Sequence, residues 1–307
     1  MRIRILGSAA GGRFPQWNCG CGNCVAVRNN VRNRQFSAKA RTQAQLALSA
    51  DGSTWFLAGA SPDLAFQIES SPELHPRGLR DSPIAGVVLG SCDLDHVIGL
   101  LLLRELQPLR VYAAPSILRI LREENSMFGM LNRVERQVVW TAIESGAKFP
   151  LLTADGKDLG LKCEVHYLSG RYPKYVKTET GKLAGEEATA ALFFSASGKR
   201  VAYIPAVGSL DNALLEKIQG SDLLLFDGTF WSDDELQRVQ GSGETAHQMG
   251  HIPVEESLRL LRGIDVGRRM FIHLNNTNPI LNEASSEHQA VRDAGWEVAE
   301  DNWQLEL

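Results

Sequence analysis

Asp95 and His96 stand just beyond an apolar run, Ile84–Leu89, and are residue types that bind metals. Asp227 follows a second such run, Leu223–Phe226, and His273 ends a third, Met270–Ile272. Each run has the length and composition of a buried strand, so each candidate ligand lies at or beyond a strand's C-terminal end. One acid in that position is easily a turn residue. The recurrence Asp–His, Asp, His at successive strand ends favours a metal site instead. Asp95, His96 and His273 make a two-histidine, one-carboxylate set, which with open positions suits iron(II) and oxygen chemistry. The same donors suit a single hydrolytic zinc, and manganese is a further option. Asp227 could complete either site. His251 precedes a helix start at Pro253, and a helix-flanking structural histidine is its plain reading.

Three of the five cysteines crowd into Cys19–Gly20–Cys21–Gly22–Asn23–Cys24. Three thiolates in so short a span suit a closed tetrahedral zinc site once one more ligand arrives. The odd count and the lack of an export signal argue against a disulfide framework. His251 and Asn276 are the candidates for the fourth ligand, imidazole being the better donor by chemistry. A loop running from Arg171 to Lys177 interleaves Arg171, Lys174 and Lys177 with Tyr172 and Tyr175. It reads either as a solvated loop or as a grip for an aromatic anion through charge and stacking.

The elements that must position these residues alternate along the whole chain. Strands are expected around Arg2–Ile5, stopping at Gly7, and at Thr42–Leu48, Thr54–Leu57, Ile84–Leu89, Arg110–Ala113, Gln137–Trp140, Leu161–Leu168, Ala188–Ser195, Arg200–Ile204, Asp222–Phe226 and Arg269–His273. Helices are expected at Val97–Glu105, Pro115–Glu124, Asp211–Gln219, from Pro253, and at Glu283–Ala294, and a hairpin joins Trp296–Ala299 to Trp303–Leu307. No linker or repeat divides the 307 residues, so one domain over 1–307 is expected. The net charge of -4 leaves no footprint for nucleic acid, and no apolar run is long enough for a membrane span. The opening segment alternates like a strand and lacks a signal-peptide core, so a cytoplasmic protein is expected.

Several of these stretches together resemble one family. They are Gly7–Gly12, Pro15–Cys19, Arg41–Gln43, Ala60–Asp63, Asp95–His96, Phe226–Thr229, Met249–His251 and Ile272–Leu281. The chain is identified from them as a member of the coenzyme PQQ synthesis protein B family, a branch of the metallo-β-lactamase fold. The usual ligand motif of that fold is HxHxDH, and Ser91 and Asp93 stand here where its first two histidines would be. The resemblance implies an α/β (α+β) fold, a four-layer αββα sandwich, and zinc on Cys19, Cys21 and Cys24. Related folds place the fourth zinc ligand three residues beyond the position of His273, which favours Asn276 and leaves His251 at the active edge, where related branches of the fold have a histidine, as a proton donor or acceptor. It further implies hydroxylation of the tyrosine ring of a cross-linked Glu–Tyr precursor of pyrroloquinoline quinone, using iron(II) and oxygen. The alternatives are a carrier of the quinone, with Arg41, Arg171, Tyr172, Lys174 and Tyr175 as ligand contacts, and a zinc- or manganese-dependent hydrolase. A small-molecule partner is expected, with the oligomeric state open and a homodimer as one reading.

Overall fold

The computed structural model describes residues 1–176 and 183–307, so Lys177 of the basic loop lies outside the described residues. Its strands are β1 (Arg2–Gly7), β2 (Gln45–Ser49), β3 (Trp55–Ala58), β4 (Ile84–Val88), β5 (Leu109–Ala113), β6 (Val138–Ala142) and β7 (Lys148–Leu152). They continue as β8 (Asp158–Leu168), β9 (Thr189–Ala196), β10 (Lys199–Ile204), β11 (Leu223–Asp227), β12 (Arg268–Ile272), β13 (Glu297–Val298) and β14 (Gln304–Glu306). Two seven-stranded sheets result, with orders β14-β1-β2-β3-β4-β5-β6 and β13-β12-β11-β10-β9-β8-β7. Both are mixed. The steps β3–β4, β4–β5 and β5–β6 are parallel, as are β10–β11, β11–β12 and β12–β13. The chain clusters into two compact units, one of Met1–Leu6, Gln45–Arg200 and Asn302–Leu307, the other of Gly7–Ala44 and Val201–Asp301. No helix among the described residues is long and apolar enough to cross a membrane.

In the first unit the core gathers on the parallel strands, with Leu57, Val87 and Val111 fully buried among Val97, Leu100 and Ile117. Short β2 and β3 pair antiparallel across the Asp51–Gly52 turn, where the Asp51 carboxylate accepts the Ser53 and Thr54 N–H groups. The helix expected at Val97–Glu105 is a short α-turn, Leu94–Val97, followed by a 3-10 run, Ile98–Leu103. The reason is local. The His96 carbonyl accepts the N–H of Ala60, and the Gly99 N–H goes to the Ala60 carbonyl, so the i to i+4 ladder is interrupted. A Cβ on Gly99 would come within 2.3 Å of the Ser61 carbonyl, so only glycine permits this approach.

In the second unit Leu223, Leu224, Leu225 and Phe226 are all fully buried, as a central parallel strand requires. Trp296 stacks on Phe271 with ring centroids 4.3 Å apart, closing one side of β12. β11 and β12 run in register with Asp227 opposite Ile272, so the two strands reach their C-terminal ends side by side.

The expected terminal hairpin does not form. β13 pairs with β12, whereas β14 pairs with β1. Ala299 N–H goes to the Phe271 carbonyl and Asn302 N–H to the Ile5 carbonyl, so each arm hydrogen-bonds to a strand other than its neighbour in sequence. Strand β7 also escaped the sequence reading, because its Phe149–Pro150 centre breaks any simple alternation.

Candidate metal centres

The cysteine loop lies wholly within the second unit. Gly20 and Gly22 leave the backbone unhindered around Cys19, Cys21 and Cys24, and the helix Gly22–Arg28 begins inside the motif. The three sulfurs lie within 4.8 Å of one another. The Asn276 side chain sits against all three, its amide nitrogen 3.1 Å from the Cys19 sulfur, 3.7 Å from that of Cys21 and 3.3 Å from that of Cys24. The amide's oxygen and nitrogen ends are interchangeable by a flip, so the same side chain can turn its oxygen toward a cation. Burial pushes the Cys24 thiol up to about 12. Burial acts in the same direction on Cys19, but hydrogen bonds from Cys21, Cys24 and Asn276 outweigh it and hold that thiol below its ordinary value. Three soft donors and an adjoining amide fit a zinc ion.

His251 is elsewhere in the unit. Its Nδ1 is 2.7 Å from Asp227 Oδ2, and its ring stacks 5.8 Å from that of His273. Ligand atoms of Asp227, His251 and His273 fall within 4.8 Å of one another. Asp227 is fully buried and held on both oxygens: Oδ1 accepts the Thr229 N–H and hydroxyl, and Oδ2 accepts the Val207 N–H beside His251. His273 adopts φ +63, a left-handed conformation that histidine tolerates better than most residues. Its Nδ1 is 2.9 Å from Thr229 Oγ1. Gly228 makes the bend after β11 possible, since a Cβ there would lie 2.7 Å from the Leu274 side chain.

Asp95 and His96 occupy the α-turn after β4 in the first unit, His96 buried and Asp95 partly so. Asp95 is not the helix cap; that position belongs to Asp93, whose carboxylate makes no capping bond. It takes the Ser91 hydroxyl at 2.8 Å instead, and Ser91 Oγ lies 2.8 Å from His96 Nδ1. Ser91 and Thr229 therefore touch the candidate ligands, with the Asp93 carboxylate behind Ser91, and none of the three was singled out as functional from sequence. The signal available was a hydroxyl two residues from an acid in each ligand loop.

Other candidates have different surroundings. Arg41 is 3 % exposed and bonds the Ala299 carbonyl and Ser8 Oγ, beside Asp301, whose carboxylate also holds Ser8 and Thr42. Burial lowers the Arg41 pKa and raises that of Asp301. The residue is an internal tie, which corrects its assignment as a ligand contact. Arg41→Met should lower unfolding stability by about 3 kcal/mol, because it strips a buried charge of its partner. Urea denaturation measures that loss. Tyr172 and Tyr175 lean on the core of the first unit, with their hydroxyls donated to the Ala184 and Cys92 carbonyls. Those hydroxyls are thus spent within the protein, while Arg171 and Lys174 are exposed.

Residues 54–274 match the beta-lactamase superfamily domain. The coenzyme PQQ synthesis protein B of Methylobacterium radiotolerans is 41% identical, covering 100% of both chains. That of Rhodopseudomonas palustris is 39% identical over the same share. The crystal structure of zinc-bound PqqB from Methylobacterium extorquens superposes with a TM-score of 0.90 at 40% identity, again over 100% of both chains. A diphosphatase of the PhnP family shares the fold alone, at a TM-score of 0.70 and 18% identity, over 100% of this chain and 98% of that one. Two mixed sheets flanked by helices, and identity of this extent along the full length, establish that the chain belongs to the coenzyme PQQ synthesis protein B family of the metallo-β-lactamase fold.

Proposed function

We propose that the protein is an iron(II)- and oxygen-dependent hydroxylase acting on the tyrosine ring of a cross-linked Glu–Tyr precursor of pyrroloquinoline quinone. Asp95, His96 and His273 would hold the ion. Their donors are imidazole nitrogen and carboxylate oxygen without sulfur, a set that fits iron(II) and leaves positions open. An iron(II) ion held there would bind and activate dioxygen, with an external two-electron reductant carrying the second oxygen atom off as water.

The reading is supported chiefly by the buried Asp227–His251 pair, 2.7 Å apart and beside His273. A neutral His251 that donates its Nδ1 proton to Asp227 keeps a lone pair on Nε2. That atom accepts the proton of the substrate's phenolic hydroxyl, and Asp227 stabilises the imidazolium that results. Asp227, with both oxygens engaged by Val207, Thr229 and His251, acts by holding this base rather than as a ligand. The carrier reading drew on Arg41 and on the charge and stacking of the 171–177 loop; Arg41 bonds Ser8 and Ala299 inside the protein, which weakens one part of that support.

Protein reconstituted anaerobically with iron(II) should, once the Glu–Tyr substrate, air and a two-electron reductant such as ascorbate are added, consume oxygen and release a product heavier by one oxygen atom. Oxygen electrode and mass spectrometry read both. Substrate that binds without oxygen uptake would exclude the hydroxylase. A metal census on protein purified without added metal separates iron from zinc or manganese at this site.

A further inference from the structure

Two hydrogen-bond chains of the same composition end on the two histidines read as ligands. In the first unit the chain is Asp93–Ser91–His96: Oγ lies 2.8 Å from Asp93 Oδ2 and 2.8 Å from His96 Nδ1. In the second it is Asp227–Thr229–His273: Oγ1 lies 2.6 Å from Asp227 Oδ1 and 2.9 Å from His273 Nδ1. In both, hydroxyl and carboxylate are two residues apart in sequence.

A hydroxyl has one proton and an ionised carboxylate has none, so each hydroxyl must donate to its acid. It then faces Nδ1 with lone pairs only, and Nδ1 must be the nitrogen that carries the imidazole proton. In a neutral ring that leaves Nε2 as the electron-pair donor. Two details show that Ser91 and Asp93 are committed to this task. Ser91 Oγ also accepts the Asp93 N–H, at 3.3 Å, which fills its acceptor capacity. Asp93 stands at a helix N-cap yet makes no capping bond, although aspartate normally does so there.

We infer that Ser91 and Thr229 are positioning residues that lock His96 and His273 in the Nδ1–H tautomer and aim Nε2 at the ion. The inference rests on the reading of these histidines as ligands. It also gives Ser91 and Asp93, which stand where HxHxDH has histidine, an orienting role in place of a ligand role. Partners that orient a metal-bound imidazole change metal affinity by about 10–100-fold when removed.

The test uses full-length protein with the cysteine-loop zinc retained and the active site free of metal. Long-range nitrogen-15 NMR should show His96 and His273 as Nδ1–H tautomers, with Nε2 unprotonated. Ser91→Ala and Thr229→Val should each release that preference and weaken cobalt(II) binding, read by its visible spectrum, by about 10-fold or more. Ser91→Thr and Thr229→Ser, which keep the hydroxyl, should restore both readouts and show that the losses are not general unfolding. An Nε2–H tautomer in the unsubstituted protein, or unchanged cobalt affinity in folded Ser91→Ala and Thr229→Val, would overturn the inference. Because the tautomer is read without metal or oxygen, failure of the hydroxylase reading leaves this result intact, and the two fail separately.

Discussion

His273→Asn should remove the active-site ion and reduce oxygen-dependent turnover by about a thousandfold or more, while the fold survives. The size of the loss follows from the ligand's place in the proposed set: with one imidazole gone, two donors remain, too few to hold a divalent ion against water. Asparagine is the informative replacement because residue 273 sits at φ +63, a conformation asparagine also accepts. The backbone after β12 should then keep its course, and the melting temperature should stay within a few degrees of the parent. His96→Ala, which removes the other proposed imidazole, should lose the ion as well. Metal analysis, circular dichroism and the oxygen electrode together decide the matter. A carrier would lose the ion and keep its affinity for the quinone. An oxygenase would lose the chemistry entirely.

The second large effect belongs to the cysteine loop. Cys24→Ala should abolish zinc retention and lower the melting temperature by 10 °C or more, corresponding to several kcal/mol (about 1 kcal/mol per 2–4 °C for a chain of this size). Cys24 is completely buried, and its sulfur, with those of Cys19 and Cys21, meets the Asn276 side chain about 250 residues away in sequence. Zinc at this point would close that long loop, and binding energy available only to the folded state appears directly as stability. Asn276→Ala should give a smaller loss of zinc and of melting temperature, since an amide is a weaker donor than a thiolate. His251→Ala, by contrast, should keep its zinc and lose turnover, because His251 lies against Asp227 and His273 and not against the sulfurs. Zinc lost from His251→Ala and retained in Asn276→Ala would reverse the assignment.

The amino-acid sequence by itself determined the strands that carry the chemistry and the residues at their ends. Ile84–Val88, Leu223–Asp227 and Arg268–Ile272 are strands where contiguous apolar residues predict them, because a buried parallel strand is written in a single short run. The helix expected at Asp211–Gln219 was legible for the same reason: its start is governed by a neighbour, the Asp211 side chain accepting the Leu214 N–H. The family motifs were legible too, and full-length relatives bear out the membership they indicated.

Only the tertiary structure decided what each polar side chain faces. Arg41 and the tyrosines at 172 and 175 look like ligand contacts in a string of residues, yet their hydrogen bonds go to Ala299, Ala184 and Cys92. Asn276, not His251, lies against the cysteine sulfurs, and Asp227 spends its oxygens on Val207, Thr229 and His251. The same limit hid the interruption of the helix after Asp95, which depends on Ala60 taking the His96 carbonyl. The physical cause is common to all of them. Burial of an apolar run depends on composition summed over neighbours, whereas a hydrogen bond depends on one partner's position and direction to within a fraction of an ångström, and that partner is supplied by a distant part of the chain.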